Sequence, residues 1–194
     1  MKKRIFMALL AAVSAFAMVS CGDDKKDDPT PSVATKASFE PTIDYVVTKF
    51  PRFPFDKFTT ANRSLSTQMK ATGEVMAIDR TLESAIQKAV ASLEIKLNGL
   101  KLPRLADVPT ADLLEEMKAS NDERFFIILE LLRRQFDIDY IHERTKIDYF
   151  FLDVFQTLIT AEEAISNEQF SSITKEKLAL LKEMGFTDRY LAKE

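Results

Sequence analysis

The sequence predicts an all-α protein: an up-and-down bundle of five or six helices behind a flexible leader. Three observations point there. Glycine occurs only four times in 194 residues, and none falls between Thr110 and Met184; that is the usage of a helical chain, because glycine inside a helix costs about 1 kcal/mol. Apolar residues recur at helical spacing along most of the chain after Thr59. The stretch from Phe125 to Ile159 is apolar on more than one face, as helices at the centre of a bundle are.

In chain order, Lys2, Lys3 and Arg4 precede an apolar run from Ile5 to Val19, which ends at Met18-Val19-Ser20-Cys21. A positive start, an apolar middle and a small residue before a cut have the anatomy of a secretory signal. The run is short of the roughly 20 residues that a membrane span needs. The single cysteine stands where the cut would fall, and Gly22, Asp23, Asp24, Lys25, Lys26, Asp27 and Asp28 follow it. This stretch resembles the signal peptide of bacterial lipoproteins, with the acidic tether of the Bacteroidetes group interrupted by the two lysines. The resemblance implies a leader at 1–20, lipid on Cys21 and a tether over 21–37. It further implies attachment to the membrane through that lipid, and residence in the outer membrane with possible exposure at the cell surface. Such a tether, without apolar periodicity, reads as disordered. Residues 38–194 then form one domain.

Without the three leader cations the chain carries 24 basic and 30 acidic residues, a net charge of −6. That disfavours nucleic acid, which needs a basic face. With Cys21 lipidated, no thiol remains for a disulfide or a nucleophile.

Residues 39–50 read as a short helix opened by Pro41, although Ile43, Tyr45 and Val47 alternate as a strand would. Prolines 51 and 54 break regular structure. From about Thr59 to Asn98 the reading is helical. Leu65, Met69, Thr72 and Met76 share one face, and Leu82, Ile86, Val90, Leu93 and Leu97 share another. Thr72-Gly73 marks a kink or break, and Asn98-Gly99 a stop. A short helix follows Pro109 with Leu113, Leu114 and Met117. Ser120-Asn-Asp-Glu123 has the form of a capping box. After it come the stripes Leu129, Leu132, Phe136, Tyr140 and Ile147, Phe151, Val154, Leu158, separated by a break near Thr145. A last helix from about Thr174 to Met184 stops at Gly185. Met184-Gly185-Phe186 resembles the loop of ubiquitin-associated domains, but eight residues remain after Phe186, too few for the rest of that fold.

Four candidate binding residues stand out: Phe50, Phe53, Phe55 and Phe58, in a proline-broken segment rimmed by Arg52 and Lys57. Exposed, they would grip a protein, a glycan or a small molecule; buried, they would add to the core. His142, the only histidine, lies among Asp137, Asp139, Tyr140 and Glu143. Asp139-x-x-His142 faintly echoes the Glu-x-x-His of di-iron bundles, which need two such motifs. No catalytic serine motif, calcium loop or phosphate cradle is present, so the sequence names no metal or cofactor. The leading expectation is therefore a membrane-anchored lipoprotein whose helical domain binds another macromolecule without catalysis. Two alternatives stand beside it: a glycan- or small-molecule-binding accessory protein using Phe50–Phe58, and an enzyme using His142 or a carboxylate pair.

Overall fold

The structure, a computed structural model, describes residues 44–97, 99–167 and 172–192. Its first element is a strand, β1 (Val46–Arg52), paired antiparallel with β2 (Gly73–Asp79) in a two-stranded sheet. Most of the rest is helical, with seven α-helices among the described residues. The all-α expectation is thus corrected by one hairpin.

Both strands carry the period of two that a pleated backbone imposes. On β1 the side chains of Val46, Thr48, Phe50 and Arg52 turn inward, while Val47, Lys49 and Pro51 turn out. The helix expected over 39–50 is therefore a strand from Val46, and the helix expected from Thr59 begins only at Leu82. A spacing of four residues is even, so Thr72 and Met76 suit one face of a strand as well as one face of a helix. Residues 59–72 form turns and irregular chain. They are pinned by the bridge Ser64↔Asn121 and by the Leu65 amide donating to the Ser120 carbonyl at 2.7 Å. The Thr72-Gly73 break marks the start of β2.

Helix α1 (Leu82–Ala91) lies against both strands. The Thr81 hydroxyl caps it, accepting from the Ser84 amide. It presents Ile86 and Val90 to the core as the periodicity predicts, but it stops at Ala91, well before Gly99. Glu94 and Lys96 take positive φ of 57° and 60°, which ends any helical path there. Asn98 lies outside the described residues.

Beyond a 3-10 turn (Pro103–Leu105), helix α2 (Thr110–Lys118) sits where expected and buries Leu113 and Met117. Helix α3 (Arg124–Arg133) follows without a capping box. The Asn121 side chain accepts from the Glu123 amide, and the Glu123 carboxylate is held by Arg63 and Arg104. The stripe from Leu129 to Tyr140 is cut at Gln135, whose φ is 59°. The Gln135 and Phe136 amides donate to the Leu132 and Leu131 carbonyls, closing α3 as a Schellman turn. Helix α4 (Ile138–Thr145) ends at left-handed Lys146, so the break near Thr145 is where the sequence put it.

Helix α5 (Tyr149–Ser166) buries Leu152, Phe155, Leu158 and Ile159, which rotates the core-facing stripe away from Phe151. Helix α6 (Lys175–Glu183) starts at the Thr174 cap and stops before Gly185 as predicted. A single turn, α7 (Asp188–Leu191), follows.

The core forms around α3, whose Ile127, Ile128, Leu129, Leu131 and Leu132 are at most 1% exposed. Helices α2 and α5 lie against it, and α4 joins through α5. Two buried glutamates are neutralised by neighbours: Arg133 forks onto Glu162 at 2.8 and 3.2 Å, and Arg134 holds Glu130 at 3.0 Å. Arg134 also donates to the carbonyls of Leu105, Ala106 and Val108 and to the Thr110 hydroxyl, fastening the loop before α2. A second cluster, Ile165, Leu181, Phe186, Tyr190 and Leu191, closes the C-terminal end.

Candidate interaction surface

The four phenylalanines singled out by the sequence do not form one exposed grip. Phe50 points inward and meets Phe125 edge to face at 5.0 Å. Phe55 is buried and stacks on Phe53 at 5.9 Å, while Phe58 is 61% exposed. Phe53 and Phe55 line a cleft of about 230 Å³ with Leu102 and Phe126. Its polar rim is already paired. Arg52 binds Asp56 at 2.8 Å, and Arg63 forks onto Asp122 at 2.6 and 2.9 Å while lying 5.7 Å from the Phe55 ring. The fork on Asp122 holds the Arg63 guanidinium above its usual pKa, whereas burial lowers that of Arg104. Lys57 is exposed.

His142 sits at the junction of α4 and α5. Its Nδ1 lies 2.7 Å from the Ile147 carbonyl, which can only accept, so that nitrogen carries a proton. The ring stacks on Tyr149 at 4.0 Å. Desolvation, then the hydrogen bond from its hydroxyl to Asp139, raises the Tyr149 pKa. This arrangement ties a helix junction together. Among the described residues, no group of three or more His, Cys, Asp or Glu side chains is placed to hold a metal ion.

Two exposed apolar surfaces escaped the sequence reading. The first is the outer face of the hairpin, where Tyr45, Val47, Met76 and Ile78 are 44–60% exposed. Register places Val47 opposite Ile78 and Lys49 opposite Met76, and a Lys49–Glu74 ion pair of 2.7 Å crosses the row. The sequence carried little signal for this face, since Val75, Met76, Ala77 and Ile78 form an unbroken apolar run and only the pairing with β1 divides it into an inner and an outer side. The second is the start of α5, where Tyr149, Phe150 and Phe151 are 43–59% exposed. Asp148 caps this helix by accepting from the Phe150 amide at 2.9 Å. Three consecutive aromatics sweep most of a helical turn, so a one-sided core cannot bury them all. Apolar residues exposed side by side in this way are candidates for a contact surface.

Comparison with known proteins gives these surfaces a context. The sequence model of the carbamoyl-phosphate synthetase large chain, oligomerisation domain, matches residues 74–194. The arginine-specific carbamoyl phosphate synthase large chain of Halalkalibacterium halodurans is 56% identical over 158 residues, 81% of this chain and 15% of its own length. That of Bacillus subtilis is 51% identical over 170 residues, 88% of this chain and 16% of its own. The carbamoyl phosphate synthase large chain of Thermoanaerobacter sp. is 46% identical over 183 residues, 94% of this chain and 17% of its own. This chain therefore spans about a sixth of the length of these relatives.

These matches overturn the lipoprotein reading. A match of 183 residues in a chain of 194 takes in Cys21 and the acidic stretch behind it. The lipid on Cys21, the membrane attachment, the outer-membrane address and the partner expected at a cell surface fall with that reading. An apolar run followed by a polar tract satisfies the anatomy of a signal peptide without being specific to one. Cys21, the leader at 1–20 and the tether at 21–37 lie outside the described residues. Among the described residues, no helix is long and apolar enough to cross a membrane. On the match across residues 74–194, the chain belongs to the carbamoyl-phosphate synthetase large-chain oligomerisation-domain family.

Proposed function

We propose that this chain acts as the oligomerisation domain of a carbamoyl phosphate synthase large chain, with 38–194 as one domain that joins copies of the enzyme subunit. The observation that carries this reading is the family match over 74–194. Participation in carbamoyl phosphate synthesis follows from the same proposal, because the relatives are named for that reaction as whole chains. Of the functions the sequence suggested, an enzyme is the nearest, although the contribution proposed here is assembly rather than bond chemistry at His142.

The self-association surface we assign is the aromatic start of α5, which lies inside the matched region. Tyr149, Phe150 and Phe151 supply rigid apolar area at low entropic cost, the kind of anchor that dominates binding energy. Phe150 and Phe151 already meet edge to face at 5.3 Å, which presents them together. Sedimentation equilibrium of the full chain tests this. Copies should associate, and Phe150→Glu, at a site 59% exposed, should shift the equilibrium to monomer with an unchanged circular dichroism spectrum. A monomer at every concentration, or association indifferent to Phe150→Glu, would sink it.

A further inference from the structure

We infer that His142 makes self-association of this chain depend on pH: a proton on its ring favours the joined state, so copies bind one another more tightly in mild acid. The inference rests on the self-association reading given above and names a control on that same surface. Its first support is position. His142 stands in the last turn of α4 and Tyr149 opens α5, so the stack of the two rings underlies the aromatic start of α5 that includes Phe150 and Phe151. The second support is the state of the ring. With Nδ1 donating to the Ile147 carbonyl at 2.7 Å, only Nε2 is left to gain a proton, and it makes no hydrogen bond among the described residues. Protonation therefore breaks no contact. Histidine is the side chain whose charge changes between about pH 5 and 8, and the chain has one.

The third support is the charge that surrounds it. On α4 and its cap stand Asp137, Asp139, Glu143 and Arg144, with Lys146 in the turn that follows. Asp139 accepts from the Tyr149 hydroxyl, and Arg144 lies 4.8 Å from the Tyr140 ring. From α5 come the capping Asp148 and, one turn on from Tyr149, the exposed Asp153. Helix α2, also packed against α4, carries Asp112, Glu115, Glu116 and Lys118, the lysine being paired with Glu115 at 2.6 Å. Carboxylates outnumber cations on each of these elements. Two copies that meet at Tyr149, Phe150 and Phe151 bring the acidic surroundings of both together, and like charges set face to face oppose association. A proton on each His142 lessens that repulsion. The charged ring stays face-on to Tyr149 and at the C-terminal end of a helix, two settings that accept a positive charge. Association thus takes up protons, and its constant falls as pH rises.

Sedimentation equilibrium of the full chain at pH 6, 7 and 8, at one ionic strength, tests this. The association constant should be about five- to tenfold larger at pH 6 than at pH 8. His142→Asn keeps a donor near the Nδ1 position and cannot become charged. Its constant should stay flat across the range, at the value the parent shows at pH 8. Glu143→Gln, at an exposed site, removes one of the opposing carboxylates and should raise the constant at pH 8. A parent constant that is level or falls towards pH 6 would overturn the inference, as would a pH dependence that persists in His142→Asn. Should that variant fail to fold, Glu143→Gln decides: an unchanged constant at pH 8 overturns the inference. In each of these cases the self-association reading survives, because copies still associate through Phe150. Copies that never associate, or that ignore Phe150→Glu, remove that reading and this inference with it.

Discussion

Gly185 is a point at which the C-terminal architecture is sensitive to a single methyl group. Its φ is 90°, and it closes α6: the Gly185 amide donates to the Lys182 carbonyl, and the Phe186 amide to that of Leu181, both at 3.0 Å. This Schellman turn swings Phe186 back onto Leu181, both 3% exposed in the second apolar cluster. A Cβ at this position would stand 2.9 Å from the Ser84 Cα, 3.1 Å from its hydroxyl oxygen and 3.2 Å from the Gln87 Cβ. Gly185→Ala thus carries two costs. Left-handed backbone costs an L-residue about 1–2 kcal/mol. Forcing a methyl into a contact with main chain costs about 1–3 kcal/mol. The sum, about 2–5 kcal/mol, is a large share of a typical stability of about 5–15 kcal/mol. At about 2–4 °C per kcal/mol for a chain of this size, the melting temperature should fall by roughly 4–20 °C. Thermal unfolding followed by circular dichroism measures that shift, and urea unfolding measures the free energy. Gly185→Asn separates the two terms, because asparagine tolerates the left-handed region yet brings the same Cβ. Asn should recover part of the backbone cost and none of the steric one. A loss under about 0.5 kcal/mol for Ala, the range of an unremarkable surface change, would refute the argument.

Two further perturbations probe the hub and the hairpin. Arg134→Lys keeps the charge but loses the fork that reaches Leu105, Ala106, Val108 and Thr110; it should cost about 2–4 kcal/mol and speed amide exchange in the loop before α2. Exchange rates that match the parent would argue that the loop is held by Leu105 alone. Asp79 accepts from the Arg80 amide and the Ser84 hydroxyl and lies near Lys88, which together hold its carboxyl below the usual carboxylate range. A depressed folded pKa contributes stability above the unfolded value of about 3.9 and loses it as pH falls through the folded one. Asp79→Asn should therefore flatten the fall of stability below about pH 4 and leave the slope above pH 5 unchanged. An unaltered acid limb would count against that assignment.

What was legible before the fold was known was what neighbouring residues decide among themselves. Helix α2, the Thr174 cap, the stop at Gly185 and the break near Thr145 all follow from periodicity, capping and turn chemistry within a few residues. The break at Gln135 was not legible, because nothing about glutamine announces a left-handed turn. Of the candidate phenylalanines, sequence could pose the choice between grip and core but not divide Phe50 and Phe55 from Phe58.

The sequence by itself determined that this is a chiefly helical protein whose centre lies between Phe125 and Ile159, since an element apolar all round must be surrounded. Tertiary structure decided the hairpin and which apolar side chains stay exposed. Strand β1 ends at Arg52 and its partner begins only at Gly73, and no local pattern contains that pairing. Whether Val47, Met76, Ile78 or Phe150 faces the core or the solvent depends likewise on which side of each element its neighbours occupy. Of these, Phe150 belongs to the self-association surface proposed above. Side chains announce their polarity along the chain, but only packing assigns them an inside and an outside.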